Sequence, residues 1–403
     1  MCKGRPSSFL AVVLLFLLPT VAWSSTLPPS HLIQEGGFVV EGSSPPLQHQ
    51  QDILFTPAST LKIFTCLAAI EKLGKNFRFE THFFLDDKNN LYVKGFGDPF
   101  LTSETLAAIC ARLKKLNLLR VNTLYLDDSS FNLKDESTPL PGNSSNPYDA
   151  PSGALAVNFN ALPVKVDQNG TISSGEPQTP LLPLMGEAAI GLPSGFHRLN
   201  IATLDQSSTI SPALRYVGEL FSTLLQKEKI NLINGFSAKT VPATLSPIYI
   251  HKSEQALVET TRACLLYSNN FIANQLFLRL GMQTYGGPAT WKKSRDFMAH
   301  YAINSLMLSP QSFTIKDGSG LSRKNKITAS ALITVLNKFK PYAHLLNRRG
   351  SILLKSGTLE GVYCYAGYFK NSIRIDAFVI LLNQHLNNRE QLLNALFALH
   401  KKQ

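Results

Sequence analysis

The sequence predicts an α/β protein whose main domain is split by a long insertion. Three observations carry this. Helical periodicity is strong towards both ends of the chain, over residues 59–73 and again over 253–280. Strand-like runs follow one another at 351–358, 363–369 and 373–382. Between these blocks, residues 80–250 turn rich in Pro, Gly, Ser and Asn. Antiparallel strands with helices at both ends of a chain pack as one layered domain, and the middle block then reads as an insertion.

The elements follow in order. Lys3 and Arg5 precede a short apolar run, Phe9 to Leu18, and Ala22-Trp23-Ser24 offers small residues at a cleavage site. That is the pattern of a secretory leader over 1–24, and it points to an exported, periplasmic protein. Residues 31–55 read as strands, with Gly36-Gly37 and Gly42 as turn marks. Pro57 opens a helix from Ser59 to Leu73, closed by Gly74. The inserted block, 81–244, is expected to be mainly β. It holds short runs such as Leu124-Tyr125-Leu126 and Val164-Lys165-Val166, with loops at 141–153 and 173–183. The main domain is expected over 25–80 plus 245–403. Its second half continues with a helix from Thr328 to Phe339, a turn at Lys370-Asn371-Ser372 and a final helix from Asn388 to Lys401.

Composition narrows the function classes. Hydrophobic residues make up 44% and charged residues 16%, enough apolar content for a large core and against disorder. The net charge is +12, but the basic residues are scattered and form no nucleic-acid-binding signature. Their reading is a basic surface that meets anionic polymers weakly. After the leader, no segment approaches 18 apolar residues, so no stable membrane span is expected. Cys66, Cys110, Cys264 and Cys364 are widely spaced in apolar stretches and read as buried thiols, with two disulfides as the alternative. The nine His are dispersed, and neither a metal site nor a cofactor is expected.

Three fragments carry chemistry. The first is Pro57-Ala58-Ser59-Thr60-Leu61-Lys62 at a helix start. Positions three apart share a helix face, which sets the Ser59 hydroxyl beside the Lys62 amine. A serine is a weak nucleophile until a base takes its proton, and a buried lysine can lose its charge and be that base. The second is Ser268-Asn269-Asn270, between two helical runs. Its serine can relay a proton, and Asn270 can bond a substrate amide. The third is Lys355-Ser356-Gly357-Thr358 on a strand, the only K-[ST]-G in the chain. A strand edge with a glycine lets a peptide approach and pair as an added strand, and Lys355 supplies positive charge. Each fragment alone is common. In this order, on helix, loop and strand, they resemble the motif set of the penicillin-recognising serine acyltransferases.

The chain resembles the D-alanyl-D-alanine carboxypeptidase/endopeptidase family, the class C low-molecular-mass penicillin-binding proteins. Ser268 follows Ser59 by 209 positions, similar to the family's inserted domains. Gly97-Asp98-Pro99, Asp317-Gly318-Ser319-Gly320-Leu321-Ser322-Arg323, Lys355 to Val362 and Ala366-Gly367-Tyr368 also resemble family segments. Asn269 stands where Asp is usual, and Ser356 where Thr is commoner. The resemblance implies a penicillin-binding/β-lactamase-like transpeptidase domain: an antiparallel sheet flanked by helices, with an inserted region. It implies that Ser59 attacks a D-Ala-D-Ala carbonyl and that Lys62 takes its proton. Ser268, tuned by Lys355, would serve the leaving nitrogen. Asn270 would bond the substrate amide, and Lys355 and Ser356 the terminal carboxylate. Backbone N–H groups of Ser59 and Thr358 would make the oxyanion hole, and Gly357 would be part of the substrate-binding strand. Peptidoglycan peptides ending in D-Ala-D-Ala and β-lactam antibiotics are the implied partners. By the same resemblance, Asn143, Tyr148, Arg323 and Glu360 lie near a substrate side-chain amine; Asn143 stands uncharged where a carboxylate is often found, so Glu360 is expected to face the amine, with Asp149 as its rival. A serine β-lactamase shares the three motifs but not the long gap, and a non-catalytic penicillin sensor would not need Lys62, Ser268 and Lys355 intact.

Overall fold

The computed structural model describes residues 1, 29–133, 144–206, 209–371 and 374–402. Residues 2–24 of the expected leader, Asn143, and Ser372 of the expected turn lie outside them.

The main domain is built on a six-stranded sheet. Its order is Asn347–Arg349, Ile352–Leu359, Val362–Lys370, Ile375–Leu382, Gly36–Val40 and Leu47–His49. Every neighbouring pair is antiparallel. Gly36 pairs with Leu382, so the start of the described chain closes onto the C-terminal meander. Ile375–Leu382 is a near-continuous apolar run because both faces of the sheet are covered. One face carries the helices Lys62–Leu73, Leu257–Leu266, Asn270–Tyr285, Trp291–Asn304 and Ala329–Phe339. The other carries the last helix, Arg389–Lys401. Its Leu392, Leu393 and Leu396 pack on Phe38, Tyr365, Phe369 and Phe378.

Lys62–Leu73 is the central helix. Every residue from Lys62 to Ile70 is buried, which is why its sequence is apolar all round rather than striped. Gly74, at φ 86°, ends it in a conformation that favours glycine. The expected helix from Ser59 begins instead as a 3-10 turn, Ala58–Leu61, that runs into the α-helix at Lys62. The helical stretch 253–280 resolves into two helices separated at Tyr267-Ser268-Asn269.

The strands Glu80–Leu85 and Pro247–Lys252, at either end of the block expected to be inserted, pair with each other. They sit in a mixed five-stranded sheet with Leu91–Gly95, Leu124–Asp127 and Phe236–Ala238. A smaller antiparallel sheet holds Ile172–Ser174, Ala161–Val166 and Gly195–Asn200. Both β runs singled out in the sequence are therefore strands. Helices accompany them: Ser103–Lys115, Pro183–Ala188 and Pro212–Lys227. Leu214, Val217, Leu220, Phe221 and Leu224 cover the sheet from the last of these, forming a core separate from that of the main domain. Among the described residues, no helix is long and apolar enough to cross a membrane. Cys66, Cys110, Cys264 and Cys364 are buried free thiols.

Candidate active site

The site begins at the 3-10 turn. Three residues per turn stack residue i over i+3, closer than an α-helix would. Lys62 Nζ donates to Ser59 Oγ at 2.7 Å. It also donates to Asn270 Oδ1 at 2.6 Å and to the Ser319 carbonyl at 2.7 Å. Three acceptors match the three N–H bonds of an ammonium. Lys62 has no solvent exposure. Burial pulls its pKa down to about 8, against the opposing influence of the Cys264, Asp317 and Cys66 groups. A neutral amine is thus accessible near physiological pH, and its lone pair faces the one acceptor that carries a removable proton, Ser59. Ala58, just before Ser59, has φ 46°. A non-glycine residue there is strained, as is common where a nucleophile is held out of regular structure.

Ser268 and Asn270 come from the break between two helices. Asn269 is the N-cap of Asn270–Tyr285, its side chain accepting from Ile272 N at 2.9 Å. The middle residue of the motif is therefore a structural cap, and Asn or Asp serves about equally. Ser268 holds φ 53°, a second strained residue. Its Oγ accepts from Lys355 Nζ at 2.8 Å. Asn270 Nδ2 donates to the Tyr148 carbonyl at 3.0 Å, tying the Tyr148 loop to the site.

Lys355, Ser356, Gly357 and Thr358 lie on Ile352–Leu359. Lys355 is 1% exposed and spends its other hydrogen bond on its neighbour's carbonyl, Ser356 O, at 2.8 Å. Burial, then the positive charge of Lys62, pulls its pKa to about 7. The adjacent strand Asn347–Arg349 pairs only with Ile352 to Leu354, which leaves Lys355 to Leu359 without a partner strand on that side among the described residues. Gly357 crosses the nucleophile turn. A Cβ there would sit 2.7 Å from Pro57 O and 3.0 Å from Ser59 N. Only glycine permits that approach.

Two supports escaped the sequence reading. Asp317 is wholly buried. Its Oδ1 accepts from Ser319 N, Ser319 Oγ and Gly320 N, and its Oδ2 from Ser322 N and Asn325 Nδ2. This wraps the Asp-Gly-Ser-Gly loop so that Ser319 O meets Lys62. The signal was available: Asp followed by Gly and Ser is side-chain turn chemistry. The other support is Arg389, whose Nη1 donates to Gly357 O at 3.0 Å and to Thr358 Oγ1 at 2.7 Å. It lies 31 residues beyond Thr358, and no local pattern marks it.

The structure thus brings Ser59, Lys62, Ser268, Asn270, Lys355 and Gly357 together. Ser356 shares a strand face with Thr358 by the two-residue period. The outer candidates are looser. Tyr148 is 61% exposed. Arg323 Nη2 donates to the Glu360 carbonyl at 2.6 Å, not to its carboxylate, and both side chains are exposed. Asp149 lines a separate cavity with Phe131, Pro212 and Trp291.

The family model of the D-Ala-D-Ala carboxypeptidase 3 (S13) family matches residues 34–187 and 200–347. A D-alanyl-D-alanine carboxypeptidase of Actinomadura is 26% identical over 82% of this chain and 73% of its own length. The crystal structure of penicillin binding protein 4 from Haemophilus influenzae superposes with a TM-score of 0.74 at 20% identity, over 93% of this chain and 97% of that one. A penicillin G-acylated predatory endopeptidase of Bdellovibrio bacteriovorus, in complex with an immunity protein, gives 0.50 at 14% identity, over 92% and 91%.

Proposed function

The chain belongs to the D-Ala-D-Ala carboxypeptidase 3 (S13) family and is a serine-type carboxypeptidase, and from that membership we propose a reaction path through Ser59. Ser59 Oγ attacks the carbonyl of the penultimate D-alanine. Neutral Lys62 takes the Ser59 proton as the C–O bond forms. The negative charge on the carbonyl oxygen meets the N–H groups of Ser59 and Thr358, which need no reorganisation because Gly357 packs against the turn. As the peptide bond breaks, Ser268 passes its proton to the departing D-alanine nitrogen and is reprotonated by Lys355, 2.8 Å away, which recovers the one proton that Lys62 took from Ser59. Lys355 acts through Ser268, since its own amine is buried. Ser356 and Thr358 are left to hold the substrate carboxylate, and Asn270 its amide. Water then attacks the acyl-enzyme, and the trimmed peptide leaves with Ser59 reprotonated. A β-lactam acylates Ser59 in the same way. Its leaving nitrogen remains tethered by the opened ring, so the adduct persists.

The observation that carries this reading is Lys62: wholly buried, shifted towards neutrality, and within hydrogen-bond reach of both the nucleophile and the S-x-N motif. Peptidoglycan stem peptides ending in D-Ala-D-Ala are the proposed substrate. The leader at 1–24 would place the mature chain in the periplasm. Residues 81–244 are the proposed insertion, contributing Tyr148 to the cleft rim, and Arg323 and Glu360 are proposed to face the same substrate.

Endopeptidase action on cross-links uses the same acyl step, with a longer leaving group. Digestion of purified sacculi separates the two activities. Free D-alanine with intact cross-links supports the carboxypeptidase alone. Cross-linked dimers falling to monomers add the endopeptidase. Neither product would refute the substrate assignment.

A further inference from the structure

We propose that Arg389 is a positioning residue for the oxyanion hole, holding and polarising the Gly357–Thr358 peptide from behind. The inference rests on the reading above that Thr358 N–H receives the oxyanion.

Arg389 opens the last helix, which packs on the sheet face opposite the nucleophile helix. Its guanidinium lies 4.6 Å above the Tyr365 ring. Tyr365 is in turn fixed, its hydroxyl donating to Glu390. Glu390 gives its ion pair to Arg349, at 2.9 Å. Arg389 is thus clamped by an aromatic face, and its hydrogen bonds go to the strand. Nη1 has two N–H bonds. One goes to Gly357 O and the other to Thr358 Oγ1.

Those two acceptors belong to the catalytic strand at its critical point. Gly357 C=O and Thr358 N–H are the two ends of one planar peptide, and a trans peptide points them in opposite directions. A charged donor on the carbonyl draws electron density along the amide, which makes the N–H at the other end a better donor. It also fixes the plane of that peptide, hence the direction of the N–H. The second bond has a parallel effect. Thr358 Oγ1 accepts from Arg389, so its own O–H is free to donate outward, towards a substrate carboxylate.

The test uses the full-length protein and four forms: wild type, Arg389→Ala, Arg389→Lys and Arg389→Gln. Acylation by a fluorescent penicillin is timed, and kcat and KM are measured on a D-Ala-D-Ala peptide. Removing an oxyanion donor costs about 10²–10³ in rate, so weakening one should slow acylation by about ten-fold or more in Arg389→Ala, chiefly in kcat. Arg389→Lys should recover part of the loss, and millimolar guanidinium ion should recover part of it in Arg389→Ala. Should Arg389→Ala prove unstable, the Lys and Gln forms decide, because only Lys keeps the charge: Lys faster than Gln supports the proposal. Arg389→Ala within two-fold of wild type would overturn it. So would equal rates for Lys and Gln, or a loss confined to KM. A wild type that neither labels nor releases D-alanine would instead sink the catalytic reading, a distinguishable failure.

Discussion

Gly320→Ala is a small change with a large expected effect. Gly320 holds φ 82°, a left-handed conformation that costs a side-chain-bearing residue about 1–2 kcal/mol. Sterics add to this. A Cβ at Gly320 would lie 1.9 Å from Ala58 O, 2.5 Å from Ala58 C and 3.2 Å from Ser59 N. Carbon and oxygen normally approach no closer than about 3.3 Å, so one backbone must retreat by roughly 1.4 Å. On one side stands Ala58, already strained and one residue before the nucleophile. On the other stands the loop whose Ser319 carbonyl holds Lys62. Either retreat separates Ser59 from its base. A misplacement of about 1 Å can cost roughly 10²-fold in rate. Overpacking adds about 1–3 kcal/mol of destabilisation. The assay is the acylation rate with fluorescent penicillin, beside thermal unfolding. Gly170→Ala is the control, because Gly170 holds φ 80° with nothing within 4 Å. It should lose some stability and no acylation rate. If the Gly320 variant acylates within three-fold of wild type while folded, the packing argument for the site is wrong.

Three further outcomes are expected. With Lys62 near 8, the neutral fraction falls ten-fold per pH unit below that value, so acylation should climb with unit slope from pH 6 and level off above about 8; a flat profile would remove Lys62 as base. Asn269→Asp should leave activity and melting unchanged, whereas Asn269→Ala should cost about 1 kcal/mol by unfolding titration through the lost cap. The exposed Glu360 carboxylate is proposed to meet an ammonium on the substrate side chain. A hydrogen bond to a charged group contributes about 1.5–3 kcal/mol, so Glu360→Gln should cut the kcat/KM preference for amine-bearing peptides by about ten-fold. Equal losses on peptides with and without the amine would make Glu360 structural.

What could be read from the sequence follows the range of the interactions. Ser59 and Lys62 are three apart, so local geometry alone sets them side by side. Lys355-Ser356-Gly357 could be placed on a strand because the short apolar run Ile352-Leu353-Leu354 precedes it and further strand-like runs follow. The Lys62–Asn270 bond spans 208 positions, and the Lys62–Ser319 bond 257, and both depend on the packing of separate helices and loops. Asp317 could be seen as part of a matching run, but not as the acceptor of five hydrogen bonds. The helix Pro212–Lys227 was masked by the turn-rich composition around it, although Ser211 caps it and Pro212 opens it. Trp291–Asn304 was also missed. Its buried Trp291, Phe297, Met298 and Tyr301 are spaced among charged residues, so its apolar face is diluted along the sequence.

Catalysis rests on an acyl-enzyme at Ser59 made with Lys62 as base. It is tested most directly by intact-mass measurement of wild type and Ser59→Ala after incubation with penicillin, with D-alanine release from a D-Ala-D-Ala peptide followed in parallel. The wild type should gain the mass of one penicillin, mapped by digestion to the peptide holding Ser59, and should release D-alanine. Ser59→Ala should melt like the wild type and do neither. A covalent adduct on a folded Ser59→Ala protein, or a wild-type adduct mapped to another residue, would contradict the account.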